Sequence, residues 1–223
     1  MWVRSLAWRL IEITPEKNKS YQWIQTLEAL SKYDLPRTTK IMALGLVEGH
    51  LHNIGELDAF LVSLAKSNPD LLMKSVGEVI LDKTLGWKFQ ILEYKLLFKS
   101  LPEETVIEWV KEHGVEAARL LARHLPSPYV SKEGLPIVPH LTQFVLDTFE
   151  DDDKVFNAFL CGVHAYQVYF GDIAAQHDKE AEIARKFLSH SSKRIREWSQ
   201  IEVDHALSEA ERWRQLEEER RLD

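Results

Sequence analysis

The sequence predicts an all-α protein built as a stack of antiparallel helix pairs. Three observations lead there. Apolar residues recur at helical spacing almost from end to end. No stretch shows the period of two that a half-buried strand needs. Prolines fall at near-constant intervals: Pro36, Pro69 and Pro102 are 33 residues apart and Pro136 follows 34 later. A spacing of this size marks a helical repeat array, in which each pair buries its apolar face against its neighbours. The alternative is a closed helical bundle, in which the even spacing of the prolines is coincidence.

In chain order, Val3, Leu6, Leu10 and Ile13 share one helical face, as do Trp23, Ile24, Leu27 and Leu30. Leu57, Phe60, Leu61 and Leu64 repeat the pattern, followed by Leu72, Val76, Val79 and Ile80. Phe89, Leu92 and Leu96 come next, then Val106, Trp109, Val110 and His113. The last third holds three stripes, at Leu141–Thr148, Phe156–Val163 and Ala181–Leu188. Asn68-Pro69 reads as an N-cap with proline at the first helical position, where its missing N–H costs nothing. Pro36 and Pro102 read as the same device, and Glu103 and Glu104 favour the positive end of the helix dipole. Gly114 stands where a left-handed cap belongs. Asp151-Asp152-Asp153 can cap the helix that begins near Val155. The longest irregular stretch runs from Leu125 to Pro139.

The expected organisation is a single helical-repeat domain over residues 1–223. Within it, 1–35 is a truncated leading repeat, because an apolar start with Trp2 and Trp8 leaves no room for a polar cap. Residues 36–135 form the central helix pairs and 136–207 a C-terminal repeat module. Residues 208–223 form a highly charged terminal helix supported by Glu/Arg pairs at helical spacing.

Composition narrows the function. Hydrophobic residues make up 45% and charged residues 28%, too apolar a balance for disorder. No apolar run reaches the roughly 20 residues of a membrane span, and a single cysteine cannot form an internal disulfide, so a cytoplasmic location is expected. The 28 basic residues are outnumbered by 35 acidic ones, giving a net charge of −7, which opposes a dominant phosphate-binding surface.

Candidate chemistry is sparse. His50 and His52 are two apart, so on a helix they diverge instead of converging on a metal. Glu150 to Asp153 read as a cap and a solvated turn. Cys161, with His164 three residues on, is the one nucleophile–base pair, but it lies in an apolar run where a thiol serves as a small buried hydrophobe. No catalytic residue, metal or cofactor is therefore assigned. Two contact surfaces are. Tyr166, Tyr169, Asp172 and His177 form an aromatic–polar cluster suited to a protein partner. Arg119, Arg123, Lys193, Arg194 and Arg196 form a basic patch that could touch phosphates or an acidic partner.

The proline-started pairs resemble HEAT-type repeats over roughly residues 36–220. In the last third the resemblance is carried by Pro136-Ile137-Val138-Pro139, Asp151-Asp152, Gly162-Val163-His164, Gly171-Asp172-Ile173-Ala174-Ala175-Gln176-His177, Phe187-Leu188-Ser189-His190 and Arg194-Ile195-Arg196-Glu197-Trp198. These are similar to a helical module at the ends of large bacterial multidomain proteins, including signal-transduction ATPases and defence-type proteins. The resemblance implies a right-handed α-solenoid that senses or docks a protein partner, or other domains of a larger chain, while another domain does the chemistry. This chain carries no ATPase or effector domain, so a fragment is one expectation. The rival functions are nucleic-acid binding along the basic edges and a cryptic enzyme using Cys161 and His164.

Overall fold

The computed structural model describes residues 2–13, 21–47, 55–82, 84–85, 95–163 and 171–222. Eleven helices and one short hairpin lie among them, in keeping with the all-α expectation. The chain divides into two compact units, Met1–Leu120 and Leu121–Asp223. That boundary falls inside the segment 36–135 expected from the proline spacing.

The first unit contains α1 (Trp2–Ile13), α2 (Tyr21–Ser31), α3 (Leu35–Val47), α4 (Gly55–Ser67), α5 (Pro69–Leu81), α6 (Lys95–Ser100) and most of α7 (Glu103–Ala122). Packing follows a regular order. α2 sits on α1, α3 and α4, while α5 sits on α3 and α4, and α6 on α4. The apolar stripes expected from the sequence supply the core: Trp23, Ile24, Leu27 and Leu30 of α2 are buried, as are Leu72, Val76, Val79 and Ile80 of α5. A buried hydroxyl pair, Thr39 to Ser75 at 2.8 Å, ties α3 to α5. The Thr39 hydroxyl also donates to the Pro36 carbonyl at 3.0 Å, so in this pair it accepts from Ser75.

Three helices start at or beside Pro36, Pro69 and Pro102, with three different local solutions. Pro69 is the first residue of α5, but the Asn68 side chain turns back to the Ser67 hydroxyl and does not cap. Pro36 is the second residue of α3, and Asp34 supplies the cap by accepting from the Arg37 N–H at 3.1 Å. Pro102 precedes α7, and its carbonyl accepts the N–H groups of Thr105 and Val106. Gly114 has φ 66° and ψ −146°, open essentially to glycine alone. The positive φ expected of a cap residue is present, but the helix resumes directly after it.

The second unit holds a two-residue hairpin, Tyr129–Val130 against Pro136–Ile137, then α8 (His140–Thr148), α9 (Asp153–Val163), α10 (Ile173–Arg185) and α11 (Lys193–Leu222). The fourth proline of the series, Pro136, therefore lies in a strand, and α8 begins only after Pro139. Strands two residues long carry no readable alternation, which is why the hairpin leaves no trace in the sequence pattern. Asp152 caps α9 by accepting from the N–H groups of Lys154 and Val155, each at 3.0 Å. α11 packs along α10 and against α8, burying Ile195, Trp198, Val203, Ala206 and Ala210. At 30 residues it is about 45 Å long. The charged segment from Ser208 is the continuation of this helix and is joined to α10 by an Arg214–Asp178 ion pair.

Candidate partner-binding surfaces

The described residues singled out in the sequence have varied local roles. Tyr166 and Tyr169 lie outside the described residues, as do His50, His52 and His164. Asp172 is the N-cap of α10, where its carboxylate accepts from the Ala175 N–H at 2.9 Å. His177 is only 3% exposed, and its Nδ1 is 2.9 Å from the Glu180 carboxylate. It is a core histidine and not a surface anchor.

The residues of the expected basic patch differ in their surroundings. Arg119 lies in the last turn of α7, and Arg123 is past the end of that helix. Lys193 opens α11, exposed. Arg196 turns back to the carbonyls of His190 and Ser191 and closes the turn before α11. Arg194 is the clearest correction, because its side chain is 9% exposed and fully engaged. Nε donates to the Glu150 carbonyl at 2.6 Å, Nη2 to Asp153 and Nη1 to Glu197, each at 2.8 Å. The guanidinium also stacks over Phe156, 4.7 Å from the ring centroid. Burial works against its charge, but Asp153 and Glu197 outweigh that and raise its pKa. A cation held this way reaches no phosphate.

Cys161 corrects the opposite error, since its thiol is exposed and not buried. Among the described residues no group of three or more histidines, cysteines or carboxylates is placed to hold a metal.

A buried carboxyl lies behind the α10–α11 face. Glu202 is pushed above the usual glutamate range, by burial first, with Glu180 adding to the shift and His205 and His177 opposing it. Because the folded state favours the protonated form, the stability this group contributes is present at acid pH and is lost as pH rises above the ordinary glutamate value. Glu202→Gln is therefore expected to raise the melting temperature more at pH 8 than at pH 4. A gap between variant and wild type that stays constant across that range would refute the assignment.

Two features of the first unit arise from contacts between residues distant in sequence. The first is α1. Trp8 and Ile11 face inward, with the Trp23 indole N–H donating to the Ile11 carbonyl at 3.1 Å and Arg37 stacked over Trp8 at 4.7 Å. Arg37 also pairs with Glu12 at 2.6 Å at the solvent-exposed edge of this contact. The stripe expected to be its core face points the other way: Val3 is 73% exposed, Leu10 53% and Ile13 65%, with Leu6 also exposed. Their spacing of three, four and three is that of alternating a and d positions in a heptad, the pattern that seats a second helix.

The second is a groove of about 460 Å³ between α5 and the first half of α7. Thr105 donates to Asp70 at 3.2 Å near its start. Further along, Trp109 lies so close to Gly77 that a Cβ there would collide with the indole. These contacts fall in the same order along both helices, which therefore run in the same general direction. Met73, Leu81 and Trp109 supply apolar lining, and Asp70, Glu78, Glu108 and Glu112 line it with carboxylates. The repeating Glu and Asp positions of α5 and α7 are visible in the sequence, but only the packing of helices about 33 residues apart brings them to one groove.

Comparison of the chain with protein families, with curated proteins and with solved structures yields no match.

Proposed function

We propose that the chain is a non-catalytic, HEAT-like α-helical repeat segment, a right-handed solenoid, whose work is stoichiometric recognition of a protein partner within a larger bacterial assembly in the cytoplasm. The observation that supports this reading is the outer row of α1. A helix pinned on one side by Trp8, Ile11 and the Arg37–Glu12 pair presents a second, heptad-spaced apolar row to water. A contiguous exposed apolar row marks an interaction surface. Its spacing selects an amphipathic helix of the partner as the occupant, seated knobs-into-holes. The packing order of α1 through α6, in which helices two apart in sequence also touch, is consistent with a stacked array. No helix of the described residues is long and apolar enough to cross a membrane.

The test is the double variant Leu6→Glu/Leu10→Lys. The two new side chains are four apart in the favourable order, so the helix itself is preserved, and exposed substitutions of this kind change stability by about 0.5 kcal/mol or less. Wild type, captured from a nuclease-treated bacterial lysate, is expected to bring down a defined protein that the equally folded variant does not. Equal recovery by both, or loss of all specific material with nuclease, would count against the reading.

A further inference from the structure

The groove between α5 and α7 has a chemistry of its own. Its lining residues on α5 run from Asp70 to Leu81, a rise of about 16 Å, the length of roughly five extended residues. Four carboxylates line it against the single cation of Lys74. Glu108 is matched by Lys111 at 2.6 Å, and Asp70 holds the Thr105 hydroxyl. Glu78 is exposed and has no ion-pair partner among the described residues, and the contact of Glu112 is a long 3.9 Å approach to its neighbour His113. Between these carboxylates lie apolar surfaces of Met73, Leu81 and the edge of Trp109. This combination, an apolar trough with uncompensated negative charge along its rim, complements a lysine or arginine side chain, whose aliphatic stem covers apolar surface while its charged head reaches the carboxylates.

We infer that this groove binds an extended, basic peptide segment of a partner protein. The elongation of the groove favours a chain segment over a compact cation, and its charge repels nucleic acid. The site is separate from the outer row of α1 and does not depend on it.

The probe is a fluorescein-labelled five-residue peptide of alternating arginine and lysine, titrated with the full chain and followed by fluorescence polarisation at physiological salt. Saturable binding is expected. Glu78→Gln/Glu112→Gln should weaken it by about tenfold, since removal of two rim charges costs on the order of one decade in affinity. Glu218→Gln/Glu219→Gln, an equal loss of charge in exposed positions of α11, should leave it within about twofold. Both variants change exposed side chains and are checked for wild-type melting. No saturable binding, or equal weakening by the two double variants, overturns the proposal, the second because it reduces the effect to net charge. Spermidine competing as strongly as unlabelled peptide would make the occupant a small polyamine and also overturn it.

Discussion

Replacing Trp109 with alanine is expected to cost about 3–5 kcal/mol of folding stability. The side chain is 6% exposed and lies in α7 beside Val106 and Val110, both fully buried. Its indole fits against α5 only because position 77 is glycine, and its ring meets that of His113 at 5.5 Å between centroids. With glycine at position 77, no side chain of α5 at that point can fill the space the indole leaves. The loss sits at the lower end of the range if water enters through the adjoining groove and the walls relax. Urea unfolding followed by circular dichroism measures it. A loss below about 1 kcal/mol, with an unchanged dependence on urea, would mean that this helical face is not core.

Arg194→Ala is the second large effect, a loss of about 2–3 kcal/mol. The Asp153 carboxylate is 82% exposed and screened by water, so that ion pair contributes little. The cost comes from elsewhere. The Glu150 carbonyl loses a charge-assisted donor at 2.6 Å, and Phe156 loses the guanidinium that covers it. Arg194→Lys is expected to recover less than half of the loss, because an ammonium is a single point charge and cannot serve three acceptors in a planar fork. Full recovery by lysine would show that charge alone matters and that the fork geometry does not. Thermal unfolding of the three proteins side by side decides this.

These effects show how far the sequence reaches. Helical periodicity identifies α2 and α5 and most of their buried residues, since each carries one dominant apolar stripe. It fails at α1, because Trp2–Ile13 carries two apolar rows and spacing alone cannot say which one faces the core. The choice is made by contacts distant in sequence: the Trp23 indole on Ile11 and Arg37 over Trp8. Arg194 is misread for a related reason. Read locally it is one of three basic residues at a helix start, and only the approach of Glu150 and Asp153, some forty residues earlier, turns it inward. Caps are more local, so Asp152 was legible and Asp172 nearly so. The hydrogen bond of Asp172 lies only three residues away, but the neighbouring aromatic residues give the segment the composition of a contact surface. Cys161 follows the same logic in reverse. Phe159 beside it is fully buried, yet a two-residue step around a helix is enough to bring the thiol to the surface. The acidic groove was illegible, since it exists only where α5 and α7 meet.

The central claim, that α1 presents a helix-seating surface to a protein partner, is tested most directly by photo-crosslinking inside bacterial cells. A photoreactive phenylalanine derivative placed at Leu6 reports on whatever lies against the outer row, and the same group at the exposed Arg212 of α11 serves as the control. A discrete, ultraviolet-dependent protein adduct from position 6 that is lacking from position 212 is the predicted result. No adduct from position 6, or the same diffuse products from both positions, would contradict it.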